Sequence, residues 1–144
     1  MDKVSIMLDI KRVNGKIYKA LTNNIKKYNL DITPVQGRIL TFISEEDEVT
    51  ATDILERFNS INKSTLSEIL NNLEKNEYIV RSEASHDSRK KIIVLTKKAK
   101  EVINLLKDNF EAVAKKVINN VSTEEYESFK TILSKMERNV DEIC

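Results

Sequence analysis

The sequence predicts a mainly α-helical fold that carries one small β-hairpin, with long helices at both ends of the chain. Three observations predict it. Apolar residues recur in alternating steps of three and four over most of the chain, the one-sided period of helices packed on a core. That period is replaced once, by the β-branched runs Tyr78-Ile79-Val80 and Ile92-Ile93-Val94-Leu95 with a polar stretch between them. Only 2 Gly and 1 Pro interrupt 144 residues, which leaves little room for flexible linkers.

From Lys3 to Tyr28 the apolar positions are Ile6, Ile10, Val13, Ile17, Leu21, Ile25 and Tyr28. They describe a helix of about 25 residues, roughly 37 Å long, more than a small core can cover. Thr33-Pro34-Val35-Gln36 opens the next helix, with Thr33 as N-cap, Pro34 at the first helical position and Gln36 closing a capping box. Val35, Ile39, Leu40, Phe42 and Ile43 form its buried face, and the acidic run Glu45 to Glu48 closes it as a solvated loop. Thr50 is the N-cap of a short helix, Ala51 to Phe58, followed by the polar turn Asn59-Ser60-Ile61-Asn62. The helix from Lys63 to Lys75 then buries Leu66, Ile69, Leu70 and Leu73. Helices joined by so tight a turn cross instead of lying antiparallel, as in a helix-turn-helix. Asn76 is the expected left-handed terminator, and the hairpin follows with a long tip around Ser82 to Lys91. Helix, turn, helix, hairpin is the winged helix-turn-helix arrangement.

Thr96 caps another long helix, with Val102, Leu106, Phe110, Val113, Val117 and Val121 as its stripe. Ser122 and Glu125 form a second capping box, opening a final helix striped by Tyr126, Phe129, Ile132, Leu133, Met136, Val140 and Ile143. The stripes exceed what one domain needs, so a homodimer of interdigitating terminal helices is expected, in preference to an intramolecular bundle. The expected organisation is an N-terminal dimerisation helix over 1–32, a winged helix-turn-helix over 33–100 and C-terminal dimerisation helices over 101–144.

Composition narrows the chemistry. One cysteine, Cys144, and one histidine, His86, cannot form an internal disulfide or a Cys/His zinc site, and no cofactor is expected. The two glycines, Gly15 and Gly37, make no phosphate-cradling loop, and no nucleophile stands with a base and an orienting group, so an enzyme is not expected. No apolar run reaches the roughly 18 residues that suggest a membrane span, and Met1 to Arg12 lacks the apolar core of a signal peptide; a cytoplasmic location is expected. The net charge of +1 conceals a segregation. Arg81, Arg89, Lys90, Lys91, Lys97, Lys98 and Lys100 outnumber Glu83 and Asp87 around the hairpin, whereas Glu45, Glu46, Asp47, Glu48, Asp53 and Glu56 precede it against Arg57 alone. A concentrated basic wing on a near-neutral chain fits local contact with phosphates.

The exposed face of the helix from Lys63 is the candidate reader of base edges in double-stranded DNA. Lys63 reaches guanine or phosphate, Ser64, Thr65 and Ser67 bond bases or backbone, and Asn71 addresses adenine. By itself such a face is an ordinary solvated helix surface; its place, second in a helix-turn-helix and before a basic hairpin, gives it the functional reading. Arg81, Lys90 and Lys91 form the expected phosphate-contact group. Lys97, Lys98 and Lys100 oppose the macrodipole at a helix start and read as solvated lysines. His86 reads as an exposed turn histidine.

The segments LDITPVQGRILTFI, NLEKNEYIVR, DSR and IIVLT, in this order and around the two helices, resemble the MarR family of bacterial transcription regulators over nearly the whole chain. The resemblance implies a dimeric DNA-binding regulator, with Arg89 entering the minor groove at the wing and Asp87 holding the wing or its arginine. It implies repression of promoters with near-palindromic operators, and release by a small phenolic or lipophilic anion held between dimerisation helices and winged domain. Tyr18, Tyr28, Arg38 and Phe42 are the residues offered for that effector. Glu68 departs from the basic or neutral residue that many members carry, and a carboxylate facing phosphates costs affinity unless it accepts from cytosine N4 or pairs with Lys63 or Arg57. The family's thiol-based sensors carry their cysteine near the N-terminus, where this chain has none. The alternative function is a winged-helix module that has exchanged specific DNA binding for a protein partner.

Overall fold

The computed structural model describes residues 2–84 and 87–144, with the side chains of 84 and 87–89 outside that description. Helices α1 (Ser5–Lys26), α2 (Pro34–Glu45), α3 (Ala51–Arg57) and α4 (Lys63–Lys75) precede strands β1 (Ile79–Ala84) and β2 (Asp87–Leu95), and helices α5 (Lys97–Val117) and α6 (Thr123–Ile143) follow.

Helix starts are set by side chains that accept otherwise unpaired backbone N–H groups. At α2 the Thr33 hydroxyl accepts from the Gln36 N–H at 3.2 Å while Gln36 accepts from the Thr33 N–H at 3.0 Å. Ser122 and Glu125 repeat the arrangement at α6, and Thr96 caps α5 through the Ala99 N–H. The Thr50 cap of α3 is a full box as well, closed by Asp53, whose carboxylate accepts from the Thr50 N–H at 2.8 Å. Asn62 caps α4 through the Thr65 N–H, also at 2.8 Å.

The end of α4 differs from expectation by one residue. Asn76 has φ −84°, and the left-handed residue is Glu77, with φ 63°. The register is set by burial: the Tyr78 N–H donates to the Leu73 carbonyl at 2.9 Å, Glu77 N–H donates to Glu74, and the Tyr78 and Leu73 side chains are both buried. This is the Schellman closure, in which the residue before the buried aromatic must turn left-handed.

The hairpin is also longer than expected. Ile79 pairs with Leu95 and Arg81 with Ile93, and the ladder continues to Glu83 opposite Lys91 before it slips to Ala84 opposite Asp87. Much of the stretch expected as tip is therefore strand, because backbone groups close a ladder and its polar residues need only a solvated face. Val49 adds a bridge on the other edge, its carbonyl accepting from the Ile93 N–H at 2.8 Å.

The core joins Ile25 of α1, Ile39 and Leu40 of α2, Ile54 of α3, Leu66, Leu70 and Leu73 of α4, Ile79 and Ile93 of the hairpin, and Ile103 and Leu106 of α5. Gly37 allows α2 to lie close to α5: a Cβ there would stand 3.2 Å from the Phe110 ring. The buried face of α5 is Ala99, Ile103, Leu106, Asn109 and Val113, so the expected stripe is rotated and holds an amide, with Val102 and Phe110 at the core margin and Val117 and Val121 exposed. The chain divides into two compact units, the first ending at Val113 and the second running from Ala114 to Cys144. Within the second, α6 buries no residue.

A glutamate in the left-handed region carries a steric cost of roughly 1–2 kcal/mol that glycine avoids. Glu77→Gly is expected to raise stability by up to about 1 kcal/mol after the glycine's unfolded-chain entropy is subtracted. Urea unfolding should show a higher midpoint with an unchanged slope; a lower midpoint would mean that the Glu77 side chain stabilises the turn.

Candidate nucleic-acid interface

Helix α4 turns Leu66, Leu70 and Leu73 inward, and this leaves Lys63, Ser64, Thr65, Ser67, Glu68, Asn71 and Asn72 exposed. Three- and four-residue spacing places Ser64, Ser67, Glu68 and Asn71 along one face. That face offers hydroxyls, an amide and a carboxylate with short reach, and Lys63 adds a cation at its start.

Beside α4 the fold makes two adjoining hollows. One, of about 280 Å³, is lined by Lys63, Leu66, Ser67 and Leu70 of α4, by Arg81, and by Ala51, Thr52 and Leu55 of α3. The other, of about 270 Å³, shares Ala51, Thr52, Leu70 and Arg81 and adds Thr50, Lys90, Lys91 and Ile93. Packing of α3, α4 and the hairpin thus brings Lys63, Arg81, Lys90 and Lys91 to one side of the molecule. The acidic residues of the stretch 46–56 are gathered elsewhere: Glu46, Asp47, Glu48, Asp53 and Glu56 line a hollow of about 510 Å³ with Phe42, Val49 and Arg57. The segregation seen along the sequence is kept in space, as a surface that attracts polyanions on one face requires.

Arg81 is engaged by α4 itself. Its Nε donates to Glu74 Oε2 at 2.6 Å, and its Nη2 donates to Asn71 Oδ1, also at 2.6 Å. Sequence reasoning left Glu74 out of the site. The available signal was spacing, since Asn71 and Glu74 lie three apart on one helix flank and a strand arginine can meet both.

Just beyond Asn71 and Glu74, the C-terminus of α4 is fastened to α5. The Lys98 Nζ donates to the Asn76 carbonyl at 2.7 Å and stands 4.4 Å from the Tyr78 ring centroid, and the Thr96 hydroxyl donates to the Glu77 carbonyl at 2.6 Å. Lys98 opposes the dipole of its own helix but complements the C-terminus of α4, which explains a cation in that first turn. Burial, followed by the Asp31 carboxylate, pushes the Tyr78 phenol above its usual pKa.

Several expected site residues are placed less closely. Lys90 and Lys91 are exposed on β2, and Arg57 lies over the Phe58 ring at 5.6 Å. Asp87 and Arg89 belong to β2, but their side chains, like His86 as a whole, fall outside the described residues. Of the residues offered for an effector, Tyr18 and Tyr28 are exposed, Arg38 lies 5.8 Å from the centroid of the Phe110 ring, and Phe42 packs edge-on against Phe58. The hollow that Phe42 lines has none of the other three in its wall.

A helix-turn-helix followed by an antiparallel hairpin, with the second helix presenting a polar face, defines the class of winged helix-turn-helix proteins. Comparison with known proteins narrows that class. A model of the MarR family matches residues 30–90. The HTH-type transcriptional regulator SarZ of Staphylococcus aureus is 31% identical over 113 residues, covering 78% of this chain and 72% of that protein. The SarZ of Staphylococcus epidermidis is 32% identical over 98 residues, and the match spans 68% of this chain but only 64% of that protein's own length. This chain belongs to the MarR family. Its fold is shared by S. aureus MepR, solved as a DNA complex, with a TM-score of 0.86, 24% identity and coverage of 94% of this chain and 97% of that one. It is shared as well by a mutant E. coli MarR complexed with operator DNA, with a TM-score of 0.83, 19% identity and coverage of 92% and 94%.

The N-terminus of α4 depends on one side chain, the Asn62 carboxamide. Asn62→Ala is expected to cost about 1 kcal/mol. Chemical denaturation checks this, and a loss below about 0.3 kcal/mol would show that water replaces the cap without penalty.

Proposed function

We propose that this chain is a homodimeric, sequence-specific DNA-binding regulator of transcription in the cytoplasm, a repressor at near-palindromic promoter sites that a small-molecule effector releases. The observation that carries the reading is the exposed hydroxyl- and amide-bearing face of α4 beside hollows to which Lys63, Lys90 and Lys91 contribute cations. Short polar side chains on a helix suit the donor and acceptor pattern of the major groove, and flanking cations suit the phosphates that border it. SarZ, described as a transcriptional regulator, and MepR and MarR, solved with DNA, support extending this role to the present chain.

Dimerisation is supported by apolar surface. Ile6, Met7, Leu8, Ile10 and Val13 of α1 and Tyr126, Phe129, Ile132, Leu133, Val140 and Ile143 of α6 are exposed. Each helix carries more apolar area than scattered surface residues explain, and two chains related by a two-fold axis would cover it. The same axis would set two α4 helices into successive major grooves, with half-sites about 10 bp apart. Repression would follow from occupancy of the promoter. Release would follow if an effector binds better to a dimer whose α4 helices are misplaced, with Tyr18, Tyr28, Arg38 and Phe42 as the residues proposed to meet it. Within this proposal Asp87 and Arg89 supply the wing contact that the family resemblance implies.

The dimer and the DNA contact are tested separately. Phe129→Asp places a charge in the proposed interface and should halve the mass measured by light scattering; an unchanged mass would remove α6 from the interface. For DNA, the affinity for the region upstream of the protein's own reading frame should fall in the range of about 10⁻⁸ to 10⁻¹¹ M near 150 mM salt, and Arg89→Ala should weaken it. Replacing Lys90 and Lys91 together by Ala should flatten the slope of log affinity against log salt by roughly two. Salicylate-like anions and a metabolite panel added to the complex test the effector, and no change with any of them removes that part of the reading. Equal weak affinity for every DNA, insensitive to these substitutions, would favour the protein-partner module.

A further inference from the structure

We infer that Arg81 determines which base Asn71 reads, by holding its amide so that N–H donors face the DNA; this deepens, and rests on, the reading of α4 as a DNA-contacting helix.

A guanidinium carries only donors, so the Asn71 atom 2.6 Å from Nη2 must be its oxygen, and the amide NH₂ is turned away from Arg81. Bidentate recognition of adenine by asparagine uses both ends of the amide: the oxygen accepts from N6 while the nitrogen donates to N7. Here the oxygen already accepts from a cation. A second donor on that oxygen, such as the adenine amino group, would approach with its positive end beside the guanidinium. What Asn71 offers freely is a donor, which suits guanine, with acceptors at both O6 and N7, and thymine O4, whereas adenine offers it only N7, beside an amino group that the held oxygen no longer receives. The expectation that Asn71 addresses adenine, reasonable for a free asparagine at this position, is therefore reversed by its neighbour.

The second bond explains why Arg81 serves as a positioning residue in preference to a phosphate contact. Glu74 Oε2 stands 2.6 Å from Nε, so the guanidinium brings its neutralising carboxylate with it. Glu74 also fixes the guanidinium plane, because Nε and Nη2 are held at once by two residues one helical turn apart. Arg81 belongs to β1, so the root of the wing sets the donor pattern of α4.

The test is selection of preferred sites from randomised duplex DNA by the full-length protein, wild type beside Asn71→Ala, Arg81→Met and Glu74→Gln, with salt dependence measured on the selected site. Loss of preference in Asn71→Ala identifies the base pair that Asn71 reads. The wild type is expected to select guanine or thymine there. Arg81→Met is expected to move that one preference toward adenine by about tenfold, leaving the preferences in the rest of the site unchanged. The double variant with Glu74→Gln, which leaves no carboxylate uncompensated, is expected to keep the wild-type salt slope. Glu74→Gln keeps the Arg81–Asn71 bond and unmasks the charge, so the base preference should persist while the salt slope steepens by about one. This arm stands even if Arg81→Met folds poorly, and a preference moved by Glu74→Gln would count against the inference. Adenine already selected by the wild type would overturn it. A uniform loss of affinity in the Arg81→Met, Glu74→Gln double variant, with a slope flatter than the wild type's by about one, would also overturn it by making Arg81 a phosphate contact. A wild type that enriches no site would overturn the DNA reading as a whole, which is distinct from a wild type and an Arg81→Met that select the same site.

Discussion

The orientation of α4 depends on the reversal of chain direction at its C-terminus. Four groups from two distant segments meet there: Glu77 in the left-handed region, the Tyr78 N–H returning to Leu73, the Thr96 hydroxyl on the Glu77 carbonyl and Lys98 on the Asn76 carbonyl. The last carbonyls of a helix lack intrahelical partners: here Leu73 and Glu74 receive theirs from the Tyr78 and Glu77 N–H groups, and the carbonyls of Asn76 and Glu77 just beyond the helix receive theirs from Lys98 and Thr96. One junction therefore satisfies the end of α4, starts β1 and begins α5. A change in the direction of α5 would be transmitted to α4 through hydrogen bonds and a buried aromatic ring, without a flexible connection between them. In the proposed dimer, that is a physical route by which an event at the terminal helices would move the face proposed to contact DNA.

Electrostatics acts on a different length scale. With a net charge of +1 the protein has little overall attraction for a polyanion, and what matters is where the charges stand. At physiological salt the screening length is about 8 Å, so a cation contributes only if it lies next to a phosphate. Lys63, Lys90 and Lys91 line the hollows beside α4, whereas Arg81 is offset by Glu74 at 2.6 Å. Counting basic residues around the wing therefore overstates its pull on phosphates, and the difference between a charge and a partnered charge is visible only in three dimensions.

The helix caps were legible in the sequence because a capping box is local: Thr33 with Gln36 and Ser122 with Glu125 need no information beyond four residues. The winged arrangement was legible for a related reason, since the change of period from 3.6 to 2 marks the hairpin. What escaped was settled by tertiary packing. The left-handed residue is Glu77 and not the more permissive Asn76, because burial of Tyr78 outweighs backbone propensity. The strands extend through polar residues because the ladder is closed by backbone groups. The rotation of the α5 face escaped because Asn109, polar and buried with neither amide atom partnered among the described residues, occupies a position where an apolar residue would have revealed it.

Asn109 and Asn71 illustrate opposite uses of the same side chain. Burial of an unpartnered amide costs on the order of 1–3 kcal/mol, a large fraction of the stability of a domain this size, so the Asn109 position is a weak point in the α5 face. At Asn71 the amide is exposed, and water would meet its needs at no such cost; the charged donor from Arg81 instead narrows the directions in which its N–H groups can point. Holding an exposed side chain in one orientation contributes little to stability, because the loss of rotamer freedom offsets the hydrogen bond. In the inferred role its value is in selection: a fixed donor favours bases that present an accessible acceptor, and a free amide adapts to either. Fold energetics and recognition thus diverge on α4, with the leucine face determining that the helix is there and the Arg81–Asn71–Glu74 arrangement bearing on what it can distinguish.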